Sequence, residues 1–209
     1  MIKRILKPLV PHFILNRRSR QWVKTQLQEW HFSGCPIPPP HIVKQITIAY
    51  YQKRYAISLL VETGTYIGDM VEAQKKRFSN IISIELDVEL FKKAKKRFIK
   101  DTNVILIQGN SGKLLTKILN EITAPAIFWL DGHYSEGITA RGDKTCPIFE
   151  ELSAIFNNVK YNHILLIDDA RCFIGQGDYP TIESLTEYIK SKNEMYHVEI
   201  KNDIICYFV

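Results

Sequence analysis

From Ala56 to the C-terminus, short and continuously apolar runs alternate with amphipathic ones, and this alternation limits the fold more than any other feature. The apolar runs cover residues 57–62, 81–85, 104–108, 126–131 and 163–168, and they are rich in Ile, Leu and Val. They lack the in-and-out alternation of a half-exposed strand. Strands read this way when both faces are buried, as in a parallel sheet covered by helices on each side. Helical patterns fill the intervals, at residues 68–78, 88–100, 112–122 and 147–157. After the fifth run, a loop with Gly175, Gly177 and Pro180 leads into a helix over 181–190. Two last strand-like runs, 196–200 and 204–209, flank Lys201-Asn202-Asp203, a turn sequence that predicts an antiparallel hairpin. The whole predicts an α/β domain with a doubly wound, mostly parallel seven-stranded sheet that ends in that hairpin.

The first quarter of the chain is different. Residues 1–61 hold ten Lys/Arg and one acid, Glu29, whereas the remainder holds eighteen Lys/Arg and twenty-one acids. The net charge of +6 therefore belongs to the N-terminal segment. Its apolar residues Ile5, Leu6, Leu9, Val10, Phe13 and Ile14 are followed by Arg17, Arg18, Arg20 and Lys24 around Trp22, then by Trp30 and Phe32. Basic residues interleaved with aromatics suit peripheral contact with an anionic membrane surface, and nucleic acid less well. Packing on the chain's own domain, or on a second subunit of a homodimer, is an equal alternative. The prolines of 36–40 form a stiff connector, after which 41–55 reads as one more helix. The chain thus divides into a basic N-terminal helical arm, 1–55, and an α/β domain, 56–209.

Composition excludes several classes. No apolar run reaches the length of a membrane span, and Lys3, Arg4, Lys7, Pro8 and Pro11 break the opening stretch. Cys35, Cys146, Cys172 and Cys206 are far apart and form no C-x-x-C pair, which argues against zinc and for a reduced, cytoplasmic protein. The run Lys92, Lys93, Lys95, Lys96 and Arg97 reads as the solvated face of one helix.

The first strand ends in Glu62-Thr63-Gly64-Thr65-Tyr66-Ile67-Gly68. Gly64 lets the backbone turn sharply and approach a ligand, and Gly68 lets the next helix start close to the strand. In open α/β sheets ligands bind at the carboxyl ends of the strands where the strand order reverses. The second strand ends in Glu85, twenty-one residues past Gly64, where a carboxylate can accept bonds from both ribose hydroxyls. Gln108, Gly109, Asn110 and Ser111 follow the third strand and suit an adenine edge. A dinucleotide site wants G-x-G-x-x-G, but this chain has G-x-x-x-G preceded by the acidic Glu62, which would repel a pyrophosphate. Glu62 suits a ligand with an amino group and a sulfonium.

With the terminal hairpin, these residues resemble the class I S-adenosylmethionine-dependent methyltransferases over roughly Ala56 to Val209. The resemblance implies the Rossmann-like methyltransferase fold for the domain 56–209. It also implies that S-adenosylmethionine is held by Glu62, Thr63, Gly64, Thr65 and Gly68 at its methionine part, and by Glu85 at its ribose. Asn110 and Ser111 would meet the adenine, and Asp131 would border the methyl group.

The fourth strand ends in Asp131-Gly132-His133-Tyr134, and the fifth in Asp168-Asp169-Ala170-Arg171. Neighbouring strands lie about 4.8 Å apart, so the three aspartates converge, and like charges that close need compensation. One could be protonated, an arginine could intervene, or a hard cation such as Mg²⁺ could sit among them. This arrangement resembles the metal-dependent macrocin O-methyltransferase and cephalosporin hydroxylase-like group. The resemblance implies Asp131, Asp168 and Asp169 as metal ligands, with Asp168 standing where that group often has Glu. His133, in a glycine-containing loop beside Asp131, is placed to take a proton from an acceptor hydroxyl. Catalysis is therefore expected of His133 and Asp131, and substrate contact of Tyr134, Arg141 and Arg171. The segments 135–146 and 173–179, each with two glycines, could fold over the acceptor.

The expected function is metal-assisted O-methylation of a small-molecule or glycan hydroxyl. Two alternatives stay open, a metal-free N-methyltransferase and a non-catalytic binding protein that keeps the S-adenosylmethionine fold.

Overall fold

All seven apolar runs become strands: β1 (Leu59–Thr63), β2 (Asn80–Glu85), β3 (Val104–Gln108), β4 (Ala126–Leu130), β5 (Ile164–Ile167), β6 (His197–Lys201) and β7 (Ile204–Phe208). The helices are α1 (Arg17–Phe32), α2 (His41–Tyr55), α3 (Asp69–Gln74), α4 (Val88–Arg97), α5 (Ser111–Glu121), α6 (Ile148–Asn157) and α7 (Ile182–Lys192). The computed structural model describes residues 17–132, 145–157 and 160–209, with side chains from residue 21 onward. One sheet runs in the order β3-β2-β1-β4-β5-β7-β6. Strands β1 to β5 pair in parallel, and β7 pairs antiparallel to both β5 and β6. The order reverses between β1 and β4, so the crevice of the fold opens at their carboxyl ends.

Alternate residues of the central strands enter two separate cores, whereas β6 at the sheet edge is exposed throughout. Val61, Phe128, Leu130, Leu165 and Ile167 face one side, with Leu115, Leu152 and Leu185 from α5, α6 and α7. Leu60, Ile127, Trp129 and Leu166 face the other, with Ile48 and Tyr51 from α2 and Met70 and Val71 from α3. All of these are at most 4% exposed, and full burial of such a side chain contributes about 1.5–3 kcal/mol. Two-sided burial explains why the strand sequences carry no polar alternation.

Helix starts follow local chemistry. Asp87 Oδ1 accepts from the backbone N–H of Glu89 and Leu90 and fixes the start of α4, whose basic run is exposed around the buried Leu90 and Ala94. Asn110 and Thr181 cap α5 and α7 in the same way. Helix α3 is shorter than its sequence pattern, because Arg77 and Phe78 bond Gln74 O in a closing turn. The hairpin is also tighter than expected. Lys201 pairs with Ile204, leaving Asn202 and Asp203 as a two-residue loop with φ of 52° and 62°. Positive φ at both positions is the type I′ turn, which Asn and Asp tolerate best among residues with a side chain.

Helix α2, grouped by sequence with the basic arm, packs into the core of the sheet. Helix α1 packs on α2 through Val23, Leu27 and Trp30 against Ile42, Val43 and Ile46, and the Trp30 indole donates to Pro36 O at 2.8 Å. Trp22 and Phe32 face outward. The apolar cluster read between Ile5 and Ile14 lies outside the described residues. Among the described residues no helix is long and apolar enough to cross a membrane. All four cysteines are free.

Candidate active site

The turn after β1 is clamped between its two neighbours. Gly64 and Thr65 donate their N–H groups to Ile84 O on β2, at 2.9 and 3.2 Å. On the other side Asp131 N–H donates to Thr63 O at 3.2 Å. Gly64 has φ of 84°, and a Cβ there would collide with the Asp131 carbonyl oxygen. Only glycine fits, for both reasons. Gly68, also left-handed, leaves room for the ring of Phe98.

Two glutamates frame this turn. Glu62 is 1% exposed and accepts from Ser83 Oγ, which in turn lies 2.5 Å from Thr65 Oγ1. Glu62 therefore props the turn from beneath through Ser83 and Thr65. Burial, opposed by the Ser83 hydrogen bond and reinforced by Asp131 and Glu85, pushes its carboxyl up to about 8. Glu85 accepts from Tyr66 N–H at 2.6 Å and from Asp87 N–H at 2.9 Å, and the Leu86 N–H also favours its charged form. Burial raises the Glu85 pKa as well. Asn110 uses Oδ1 to cap α5 at 3.3 Å. The Ser111 hydroxyl is buried and donates to Glu151 Oε1 at 2.5 Å, which joins α5 to α6.

At the tips of β4 and β5 the aspartates do converge, but what compensates them is a lysine. Lys44 Nζ on α2 lies 2.6 Å from Asp168 Oδ2 and 3.2 Å from Asp169 Oδ1. Burial works against the Lys44 charge, yet Asp168, Asp169 and Asp131 outweigh it and hold the amine above the ordinary lysine range. Burial and then Asp131 push Asp168 upward, against the pull of Lys44. The short contact pairs the Lys44 amine with the buried Asp168 carboxyl. Among the described residues no group of three or more His, Cys, Asp or Glu side chains is arranged to hold a metal ion. The set expected on Asp131, Asp168 and Asp169 does not fit one, because Asp168 and Asp169 already share a cation supplied by the chain.

No protein-family model matches the sequence, and no curated protein matches it. Solved structures do. The O-methyltransferase TomG from Streptomyces achromogenes, solved with SAM, superposes with a TM-score of 0.60 at 12% identity, over 89% of this chain and 88% of that one. An O-methyltransferase from Bacillus cereus, solved with SAH, gives 0.56 at 12% identity over 89% and 90%. An SAH-bound methyltransferase from Podospora anserina gives 0.56 at 13% identity over 93% and 96%. This is the methyltransferase fold.

Within the methyltransferase fold, the crevice of this chain is acidic. Asp131, Asp168, Asp169 and Asp203 face two cations among the described residues, Lys44 and Arg171. Arg171, expected to contact substrate, is turned to the protein: it donates to Asp169 Oδ1 at 2.9 Å and to Asp203 in the hairpin loop. Asp203 Oδ1 also accepts from Arg171 N–H, so the β5 tip and the β6–β7 turn are tied together. Asp169 sits at φ 56°, a left-handed conformation more common for Asp than for most residues. His133, Tyr134 and Arg141 lie outside the described residues.

Sequence reasoning missed three residues here. Lys44 reads as a solvated lysine on a helix. His41, one turn earlier on the same face, is exposed, lies 2.8 Å through Nδ1 from the Gln45 amide, and feels Lys44, Asp69 and Asp131 electrostatically. Glu151 is 1% exposed and lies beside Gly132 at the β4 tip. Its signal was present, since it falls three residues after Ile148 and four before Ile155, on the apolar stripe of α6.

Proposed function

We propose that this protein is an S-adenosylmethionine-dependent O-methyltransferase acting on a hydroxyl of a small-molecule or glycan acceptor. The observation that carries this reading is the acidic lining of the glycine turn. Glu85 accepts from Tyr66 N–H on one side and Asp131 N–H donates to Thr63 O on the other, so two acids flank the backbone that would receive the cofactor, while Glu62, its carboxyl held up to about 8, props the turn from beneath as an uncharged group. A pyrophosphate would be repelled there, whereas an amino group and a sulfonium are attracted. The likeness to SAM- and SAH-bound methyltransferases is consistent with that donor.

Bound S-adenosylmethionine supplies an electrophilic methyl carbon on positively charged sulfur. In this reading Glu85 anchors the ribose, and Gly64 lets the methionine part lie against the backbone. Asp131 borders the methyl group and the acceptor. The acceptor oxygen attacks in line, the new C–O bond forms as the C–S bond breaks, and neutral S-adenosylhomocysteine leaves. His133, which follows Asp131 by two residues, is the proposed base for the hydroxyl proton. Most of the acceleration comes from orientation and from the field of the carboxylates. Asp168 and Asp169 share the Lys44 ammonium and do not fit a metal, so the site works through its own side chains.

Titration calorimetry with S-adenosylhomocysteine tests this reading. Binding is expected, with a rise in melting temperature, and Glu85→Ala should weaken it about tenfold or more, the effect of losing hydrogen bonds to a charged group. Binding of NADH in its place, with no S-adenosylhomocysteine affinity, would refute the methyltransferase.

A further inference from the structure

We propose that Lys44 is the resident cation of the transfer site, standing between Asp168 and Asp169 where a divalent metal would otherwise bind, so that this chain positions its acceptor without a divalent ion. The inference deepens the methyltransferase reading and rests on it for the identity of the reaction.

Three observations carry it. The Lys44 side chain is 14% exposed and that of Asp168 1%, so the pair is sheltered from water but still within reach of a small ligand. The ammonium bridges both carboxylates, one oxygen of each, as an oxygen-seeking cation would. The lysine is held there by structure, because α2 is anchored in the core by Ile48 and Tyr51, one and two turns further along. An ammonium has three N–H donors. Two are used on Asp168 and Asp169, and the third can donate to the oxygen of the acceptor. Lys44 is thus a positioning residue, and α2 is part of the acceptor site.

A dication and an ammonium cannot share this space, since both carry positive charge within a few ångströms. The test therefore reads metal binding and needs no acceptor. Manganese is titrated into the full-length protein, wild type and variants, and bound Mn²⁺ is followed by electron paramagnetic resonance. Wild type and Lys44→Arg should take up none at millimolar Mn²⁺. Lys44→Met should gain a saturable site with a Kd of about 0.1 mM or below, and the further substitution Asp168→Asn should abolish it. Saturable Mn²⁺ uptake by the wild type that Asp168→Asn removes would overturn the proposal, and that result does not depend on any Lys44 variant folding. A folded Lys44→Met protein with no gain would overturn it too. S-adenosylhomocysteine binding, measured on the same samples, separates the two readings. Its failure removes the methyltransferase, whereas Mn²⁺ uptake by a wild type that binds it removes only the role of Lys44.

Discussion

Lys44 Nζ lies 2.6 Å from Asp168 Oδ2, so a lysine in the basic N-terminal quarter is paired with an aspartate at the tip of the fifth strand, 124 residues later. Removing the lysine takes from Asp168, buried beside Asp131 and Asp169, the cation that it contacts among the described residues. Lys44→Met is expected to cost about 3 kcal/mol of folding stability, as when one partner of a buried pair is lost. Lys44→Arg keeps the charge and should cost clearly less. Urea unfolding at neutral pH measures both, and a Lys44→Met protein as stable as wild type would mean that the pair is energetically idle.

Glu62 makes stability depend on pH. Its carboxyl is held up to about 8 against an ordinary 4.5. The folded protein therefore keeps a proton that the unfolded chain releases. Between those pH values unfolding free energy should fall as pH rises, by at most about 1.4 kcal/mol per unit from this group. Glu62→Gln, which can still accept from Ser83, should flatten that slope and be the more stable protein at pH 8 and above. Denaturation midpoints at mildly acidic and mildly alkaline pH decide it, and parallel curves for the two proteins would contradict the assignment.

Gly64→Ala places a methyl group against the Asp131 carbonyl at a left-handed backbone position. Strain and collision together should cost more than about 1 kcal/mol. The variant should also lose S-adenosylhomocysteine affinity, because the turn must withdraw from β4. A variant that melts and binds like the wild type would show that the turn is not clamped.

Arg171→Ala should loosen the C-terminal hairpin. Asp203, whose side chain is 1% exposed, loses its guanidinium and, among the described residues, keeps the Arg171 backbone N–H. The loss should be about 1–3 kcal/mol. Hydrogen exchange should rise at Ile204 and Ala170 N–H before it rises in β1 or β4. Uniform protection across the sheet would count against this tie.

Much of the fold was legible because it is written in local patterns. Uninterrupted apolar runs such as 126–130 can be satisfied only by burial on both faces, and their spacing leaves room for one helix between successive strands. Gly64, Glu62 and Glu85 were legible because a glycine turn and flanking acids at strand ends carry a chemical meaning that distance along the chain preserves. The start of α2 after Pro40 followed from the same kind of signal.

The partners of the acids were not legible. Asp131, Asp168 and Asp169 called for compensation, and their sequence spacing was equally compatible with a proton, an arginine or a metal. Only the packing of Ile48 and Tyr51 against the sheet brings Lys44 over β5, and no periodicity links a lysine to a carboxylate 124 residues away. The Glu151 partner of Ser111 was hidden for the same reason, since it comes from a different helix. The sequence by itself determined which residues are strands, which are turns and where charge is concentrated, because those properties are set within a few residues. The tertiary structure alone decided which charges face one another, because electrostatic pairing depends on distance in space and is screened beyond about 10 Å.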